Sequence, residues 1–328
     1  MTVTVADMAG EIQVRLTDTA GRIGAVGIVS TRPVEAAQIF EGKPAGDMCA
    51  AIGRVFSLCS TAQTVAALTA VETALGTVQD PGVTAARDAA RRAEFLTQVV
   101  SRLALHWPRV LGLPLAPDAV RAAMAAERGI ETKVLGAGWR HPGAGILGVS
   151  DGAGAVDIDT AALVDPLAAA IRTRGIEGYG ALPEGIAPEH GVLASFWEAE
   201  AVARARADHG AGLAARLAAA AAALLALPGE IRADLAVVRP TPARAVPGDS
   251  GQGAATVATA RGPLTHRVTI VAGVVTHCRT EAPTESNFAK GGPVAAGLAG
   301  AAADPVAAQL HVLAIDPCVA ARVELVPG

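Results

Sequence analysis

Residues 54–59 read Arg54-Val55-Phe56-Ser57-Leu58-Cys59, and residues 316–321 read Asp316-Pro317-Cys318-Val319-Ala320-Ala321. Each is half of a Cys-x-x-Cys motif. Phe56 stands three residues before Cys59, where an intact early motif carries its first sulfur. Ala321 stands three residues after Cys318, where an intact late motif carries its second. One such motif near each end of a chain builds a four-thiolate metal site, because thiolates are the soft ligands that hold Fe, Ni or Zn. Here two sulfurs remain. Cys59 falls at the start of a predicted helix, where backbone N–H groups favour a thiolate. Cys318 follows a proline, which fixes the approach of the chain. Residue type alone also reads each as a small buried hydrophobe, and reads Cys49 and Cys278 that way more strongly.

The chain has 328 residues, enough for one large domain or two ordinary ones. Apolar residues make up 51% and aromatic residues 3%, so the core must be built from Ala, Val, Leu and Ile. The net charge is -4, and no Lys/Arg run offers a phosphate-binding face, which argues against nucleic acid. The first fifteen residues lack a basic segment followed by an apolar one, so no secretory leader is expected. The most apolar stretch, 213–227, is shorter than a bilayer span and contains Arg216, so a core helix is expected rather than a membrane span. Four cysteines suit a reducing cytoplasm better than a disulfide framework.

Along the chain, residues 11–30 alternate as a hairpin with a turn at Ala20-Gly21. Helical patterning begins near Gly46. It gives an amphipathic helix over Thr61–Leu75, one from Asp80-Pro81 that stops at Pro108, and one over Pro117–Arg128. Residues 136–154 and 175–191 are Gly-rich loops. The Gly-Ala-Gly runs at 136–138 and 143–145 follow no strand of a βαβ unit and carry no dinucleotide signal. Residues 195–227 read as helix ended by Pro228-Gly229, and 240–253 as a connector. Two strands with a turn follow, 255–273 and 274–280, and 307–315 reads as strand or helix. The alternation of long helices with short hairpins gives an α-rich α+β class. One domain spans 1–328, with the hairpin 11–30, a helical core over about 46–228 and a β-containing segment over about 250–322.

None of the seven histidines forms a zinc-type pair, and no nucleophile elbow or Walker loop is present. His266, in a strand-like run, reads as either packed or exposed. Arg261, flanked by Ala260 and by Gly262-Pro263, sits where a strand-edge turn could aim a guanidinium into a cavity and donate to an anionic or polar ligand. A surface or salt-bridged arginine is the plainer alternative.

Taken together, Arg54 to Cys59, Ala260-Arg261-Gly262, Pro283-Thr284-Glu285-Ser286-Asn287 and Asp316-Pro317-Cys318 resemble, in order, the motifs of NiFe hydrogenase large subunits. Phe40-Glu41-Gly42 resembles a further short motif of that family. The likeness is clearest over 11–76 and 250–322. It implies a shortened large-subunit-like fold with a helical bundle core and small antiparallel sheets. The departures fall on the Ni site. Phe56 and Ala321 replace two of four thiolates, Gln63 and Glu324 replace two histidines, and Pro44 stands at the proton-relay glutamate. The places of the groups that hydrogen-bond iron-bound cyanides are kept, by Arg261 and by Pro283-Thr284.

This combination resembles HupK/HoxV-type hydrogenase maturation proteins. The resemblance implies a non-enzymatic cytoplasmic scaffold without a complete Ni site, transiently carrying an Fe(CN)2(CO) unit. Cys59 and Cys318 would ligate the iron, and Arg261, Thr284 and Pro283 would form the cyanide pocket. The implied partners are a hydrogenase large-subunit precursor and a HypC-type maturation chaperone. A metal-free interaction protein that docks a hydrogenase subunit is the alternative, and a hydrogenase-type oxidoreductase a third.

Overall fold

The computed structural model describes residues 10–183 and 185–328. The expectation of no secretory leader falls mostly on residues 1–9, outside the described residues. Two three-stranded sheets flank a helical core. The first contains β1 (Glu11–Thr19), β2 (Arg22–Ser30) and β6 (Ala320–Pro327) in the order β2-β1-β6. Strand β1 buries Ile12, Val14 and Leu16 on one face, as period-2 alternation requires. It pairs antiparallel with β2 and parallel with β6. This sheet is therefore mixed, where small antiparallel sheets were expected. Strand β6 carries no strong apolar run of its own, and the first strand supplies its register.

The helices are α1 (Ala45–Val55), α2 (Ser60–Ala74), α3 (Pro81–Ser101), α4 (Trp107–Leu111), α5 (Pro117–Ile130), α6 (Thr160–Thr173), the single turn α7 (Val192–Ser195), α8 (Glu200–His209) and α9 (Leu213–Val237). After the second sheet come α10 (Pro283–Asn287), α11 (Pro293–Leu298) and α12 (Pro305–Ile315). Helix α2 is the centre of the molecule. It packs against α1, α3 and the first two strands of the second sheet, and buries even Thr61, Gln63, Thr64 and Glu72. The chain bends by 95° between α1 and the segment Ser57–Ala74. Gly53 permits the close approach there, since a Cβ on it would meet Ser60 O and Thr64 Oγ1, both at 2.8 Å.

Pro108 does not stop the third helix. A π-helical turn at Arg102–His106 carries α3 into α4. Pro108 has no N–H for the carbonyl of Ala104, and Ala116 N donates to that carbonyl instead, at 2.9 Å. Likewise Pro228 does not end α9. Leu227, Ile231 and Leu235 all remain buried beyond or beside it, so packing outweighs the local cost of proline. The expected helix over 195–227 breaks into α7, α8 and α9, with turns at 196–199 and 210–212.

Among the described residues, α9 is the single helix long and apolar enough to cross a membrane. Its Arg216 forms a buried pair with Glu189 at 2.7 Å and donates to the carbonyls of Gly180 and Ala211. The second sheet has three strands rather than two: β3 (Gly251–Thr259), β4 (Gly262–Val271) and β5 (Val274–Glu281), in that order. The turn that separates β3 from β4 is Ala260-Arg261. Residues 305–315 form a helix, capped by Asp304, whose Oδ1 accepts from Val306 N and Ala307 N.

Candidate functional site

Helix α2, the β3–β4 turn, α10 and the segment after α12 meet at one buried place. Cys59 is the N-cap residue of α2 and is 8% exposed. Burial pushes its thiol up to about 12, Glu94 adds to this, and Arg261 and a Gln63 hydrogen bond oppose it. The expected help from the helix N-terminus is not delivered to the sulfur. Glu94, from α3, takes the first N–H groups itself, accepting from Thr61 N at 2.7 Å and Ala62 N at 3.0 Å. Burial and the neighbouring Glu127 push the Glu94 carboxyl up to about 8 despite these two hydrogen bonds.

Arg261 lies in the β3–β4 turn and is 5% exposed. The turn is held by Thr259, whose hydroxyl donates to Gly262 O and accepts from Arg261 N. Gly262 has φ +124°, and a Cβ there would lie 2.5 Å from His190 Cβ and 3.0 Å from Pro283 Cβ. The Arg261 guanidinium meets Asp316 at 2.9 Å and donates to Gln98 Oε1 at 2.9 Å. Burial acts against its charge. The Asp316 carboxylate, followed by Cys59, Cys318 and Glu94 in their charged forms, outweighs burial and raises its pKa. The Nε of Arg261 is buried and has no partner.

Asp316 ends α12 in a left-handed conformation, φ +58°. A non-glycine residue held there, directly before a proline, stores strain. Two buried arginines hold it: Arg261 at 2.9 Å and Arg102, from the π-helical turn, at 3.7 Å. Its Oδ2 nevertheless makes no directed hydrogen bond, so charge is the main tie. Arg102 also donates to Ala314 O, while its Nε and Nη2 remain without partners. Burial first, and then the like charge of Arg261, lower the Arg102 pKa against the pull of Asp316.

Cys318 is half-buried, and its backbone N–H donates to Thr284 Oγ1 at 3.3 Å. Pro283 and Thr284 open α10, both buried. Asn287, closing the same short helix, bonds His190 N and O at 2.9 Å each and Arg261 O at 3.4 Å, clamping the turn that carries Arg261. The five residues singled out in the sequence, Cys59, Cys318, Arg261, Pro283 and Thr284, thus fall on segments that meet in one buried cluster. Gln98 links Arg261 to the carbonyl of Leu58, next to Cys59, and Asp316 links Arg261 to the segment of Cys318.

Of the replaced positions, Gln63 donates to the Cys59 sulfur at 3.5 Å, while Phe56, Ala321 and Glu324 serve packing and the surface. Phe56 and Ala321 pack against the apolar core. Glu324 faces solvent on β6 and pairs with Arg15 at 3.1 Å, with both side chains more than half exposed. Gln98, Arg102, Glu94 and Asp316 were not singled out as site residues. Only Asp316 had a sequence signal, in its motif. His266 is fully buried. Cys49 and Cys278 are buried away from the pocket, the latter 3.9 Å from Met48 Sδ. Among the described residues, no group of three or more His, Cys, Asp or Glu side chains is placed to hold a metal ion.

No protein-family model matches the chain. Over 97% of its length it is 28% identical to the hydrogenase expression/formation protein HupV of Azotobacter chroococcum mcd 1, covering 99% of that protein. It is 29% identical to HupK of Azotobacter vinelandii and to HupK of Rhizobium leguminosarum bv. viciae, covering 99% and 97% of them. Its fold matches the Ni-Fe-Se hydrogenase of Desulfomicrobium baculatum with a TM-score of 0.65 over 92% of the chain at 14% identity. The Desulfovibrio vulgaris Hildenborough enzyme gives 0.63 at 14% identity. The fold is that of the NiFe hydrogenase large subunit, and the homologues are hydrogenase expression/formation proteins over their full length.

Proposed function

We propose that this homologue of hydrogenase expression/formation proteins acts in hydrogenase maturation by carrying an Fe(CN)2(CO) unit on Cys59 and Cys318. It would pass the unit to a large-subunit precursor, with a HypC-type chaperone as the second partner. The observation that carries this reading is the buried, partnerless Nε of Arg261, on a guanidinium tied through Gln98 to the segment of Cys59 and through Asp316 to that of Cys318. A buried donor without an acceptor costs about 1–3 kcal/mol. An iron-bound cyanide nitrogen is an acceptor of the kind that a cationic donor favours. The free Arg102 groups, in the same charge cluster, offer further donors. The Thr284 hydroxyl, which accepts from Cys318 N, can still donate.

The donor set fits this cargo better than a bare metal ion. Two thiols are too few ligands for a closed protein site. An iron that arrives with its own diatomic ligands needs fewer from the chain. A scaffold must also let go, and two sulfurs release more readily than four. The half-buried Cys318 gives the pocket a side that solvent reaches. With Phe56 and Ala321 packed into the core, no complete Ni site is expected, and the chain is read as a non-enzyme.

A metal-free docking role is the second reading. It is favoured by Cys59, whose thiol is pushed up to about 12 and so stays protonated without a metal. Maturation in cells separates the two. With Cys59→Ser and Cys318→Ser combined, the carrier reading expects hydrogenase activity to fall to that of cells lacking this protein. Full activity with the double variant contradicts the carrier and favours docking.

A further inference from the structure

The Cys59 sulfur ends a buried line of hydrogen bonds. Gln63, one helical turn along α2, donates from Nε2 to the sulfur at 3.5 Å. Gln63 Oε1 lies 2.6 Å from His266 Nε2. His266 Nδ1 lies 3.2 Å from Thr280 Oγ1, and Thr280 is its register partner across β4 and β5. Gln63, His266 and Thr280 are 3%, 0% and 8% exposed, so water does not compete for these groups.

The donor and acceptor roles along this line are linked. If the amide turns its NH2 to the sulfur, it turns its carbonyl to His266. A carbonyl accepts only from a protonated Nε2, and a neutral imidazole then has a bare Nδ1. The Thr280 hydroxyl supplies that nitrogen with a proton donor. The reversed line is equally well paired, but it offers a carbonyl to the sulfur. A sulfur that ligates a metal carries no proton and only accepts, so the first arrangement alone serves it. Burial lowers His266 to about 4, which keeps the ring neutral near pH 7. The line therefore brings the sulfur a donor without adding charge.

We infer that Gln63 and His266 are positioning residues for Cys59: His266, as the neutral Nε2–H tautomer anchored on Thr280, locks the Gln63 amide with its NH2 toward the sulfur. The inference rests on the carrier reading only for the identity of the metal. The structure already has the Gln63 amide nitrogen toward the sulfur, and that polarity is measured without cargo.

Two measurements test it. The 15N shifts of the His266 ring report its tautomer in the wild-type protein, and Nε2–H is expected. The rate of Cys59 alkylation by iodoacetamide at fixed pH, read at the peptide level against Cys318, reports the donor. His266→Leu frees the amide to turn, and the loss of one hydrogen bond to a charged sulfur slows alkylation about ten-fold. His266→Gln keeps a side-chain N–H at that place and restores the rate. A role in packing alone moves the rate the other way, because a loosened core exposes Cys59. An Nδ1–H ring in the wild type overturns the inference, as does unchanged or faster alkylation in His266→Leu. If that variant does not fold, the wild-type ring spectrum decides. Failure to load iron leaves both readouts unchanged, so a failed carrier reading is distinguishable from a failed line.

Discussion

Arg261 is the residue on which the cluster turns, because its guanidinium joins elements distant in sequence. Its guanidinium ties the β3–β4 turn to the strained Asp316 and to Gln98 on α3. Removing one partner of a buried charge pair leaves the other uncompensated, so Arg261→Ala should destabilise by about 3 kcal/mol in urea unfolding. Arg261→Lys keeps the charge but not the planar fork, and should recover only part of that. Glu94 makes a different prediction. An unperturbed glutamate ionises near 4.5, and the folded Glu94 carboxyl ionises near 8. As pH rises between these values the unfolded chain gives up a proton that the folded chain keeps. Glu94 therefore contributes full stability below about 4.5 and loses it progressively up to about 8. Glu94→Gln should gain stability relative to wild type across that window, measured as the difference in denaturation midpoint at each pH. A constant difference contradicts the buried, proton-retaining Glu94.

At the scale of elements, the β3–β4 turn is the part least tolerant of change. Gly262→Ala puts a methyl group 2.5 Å from His190 Cβ at a backbone angle that L-residues avoid. It should cost about 3 kcal/mol, seen as a fall in melting temperature, and should displace Arg261. The hairpin 11–30 was legible from alternation and its Ala20-Gly21 turn, and α2 and α5 from their helical patterning, Gly76 after the first and Pro117 opening the second; α2, however, is buried on nearly every face rather than amphipathic. Pro108 and Pro228 misled because proline is a local signal. Each proline is accommodated by something the local pattern does not display: the Ala116 N–H donated to Ala104 O in one case, buried Ile231 and Leu235 in the other. Strand β6 was missed because its order comes from β1, some 300 residues earlier in sequence. The turn at Ala260-Arg261 was read as part of one long strand, although the functional reading of Arg261 had already placed it at a strand-edge turn.

For the whole molecule, the site was legible only through the order of short motifs. Nothing in composition or spacing brings residue 59 to residue 318. The fold does so by running α2 through the centre and docking α12 and β6 against the other end of the chain. The supporting groups had no sequence signal. Gln98 is a single polar residue on a helical face and Arg102 one in a π-helical turn, and the burial of Arg102 comes from tertiary packing. The halved motifs acquire a physical meaning in this setting. Phe56 and Ala321 pack against the apolar core, while Thr284 and the Cys59–Gln63–His266 line keep polar partners and Arg261 keeps one donor free.

The central claim is that both cysteines hold one iron unit with diatomic ligands. Infrared spectroscopy of the protein purified without oxygen from cells with an active maturation system tests it most directly. Cyanide and carbonyl stretching bands are expected in the wild type, and their loss in Cys59→Ala and in Cys318→Ala. A wild-type protein without these bands, or bands that survive in both variants, contradicts it.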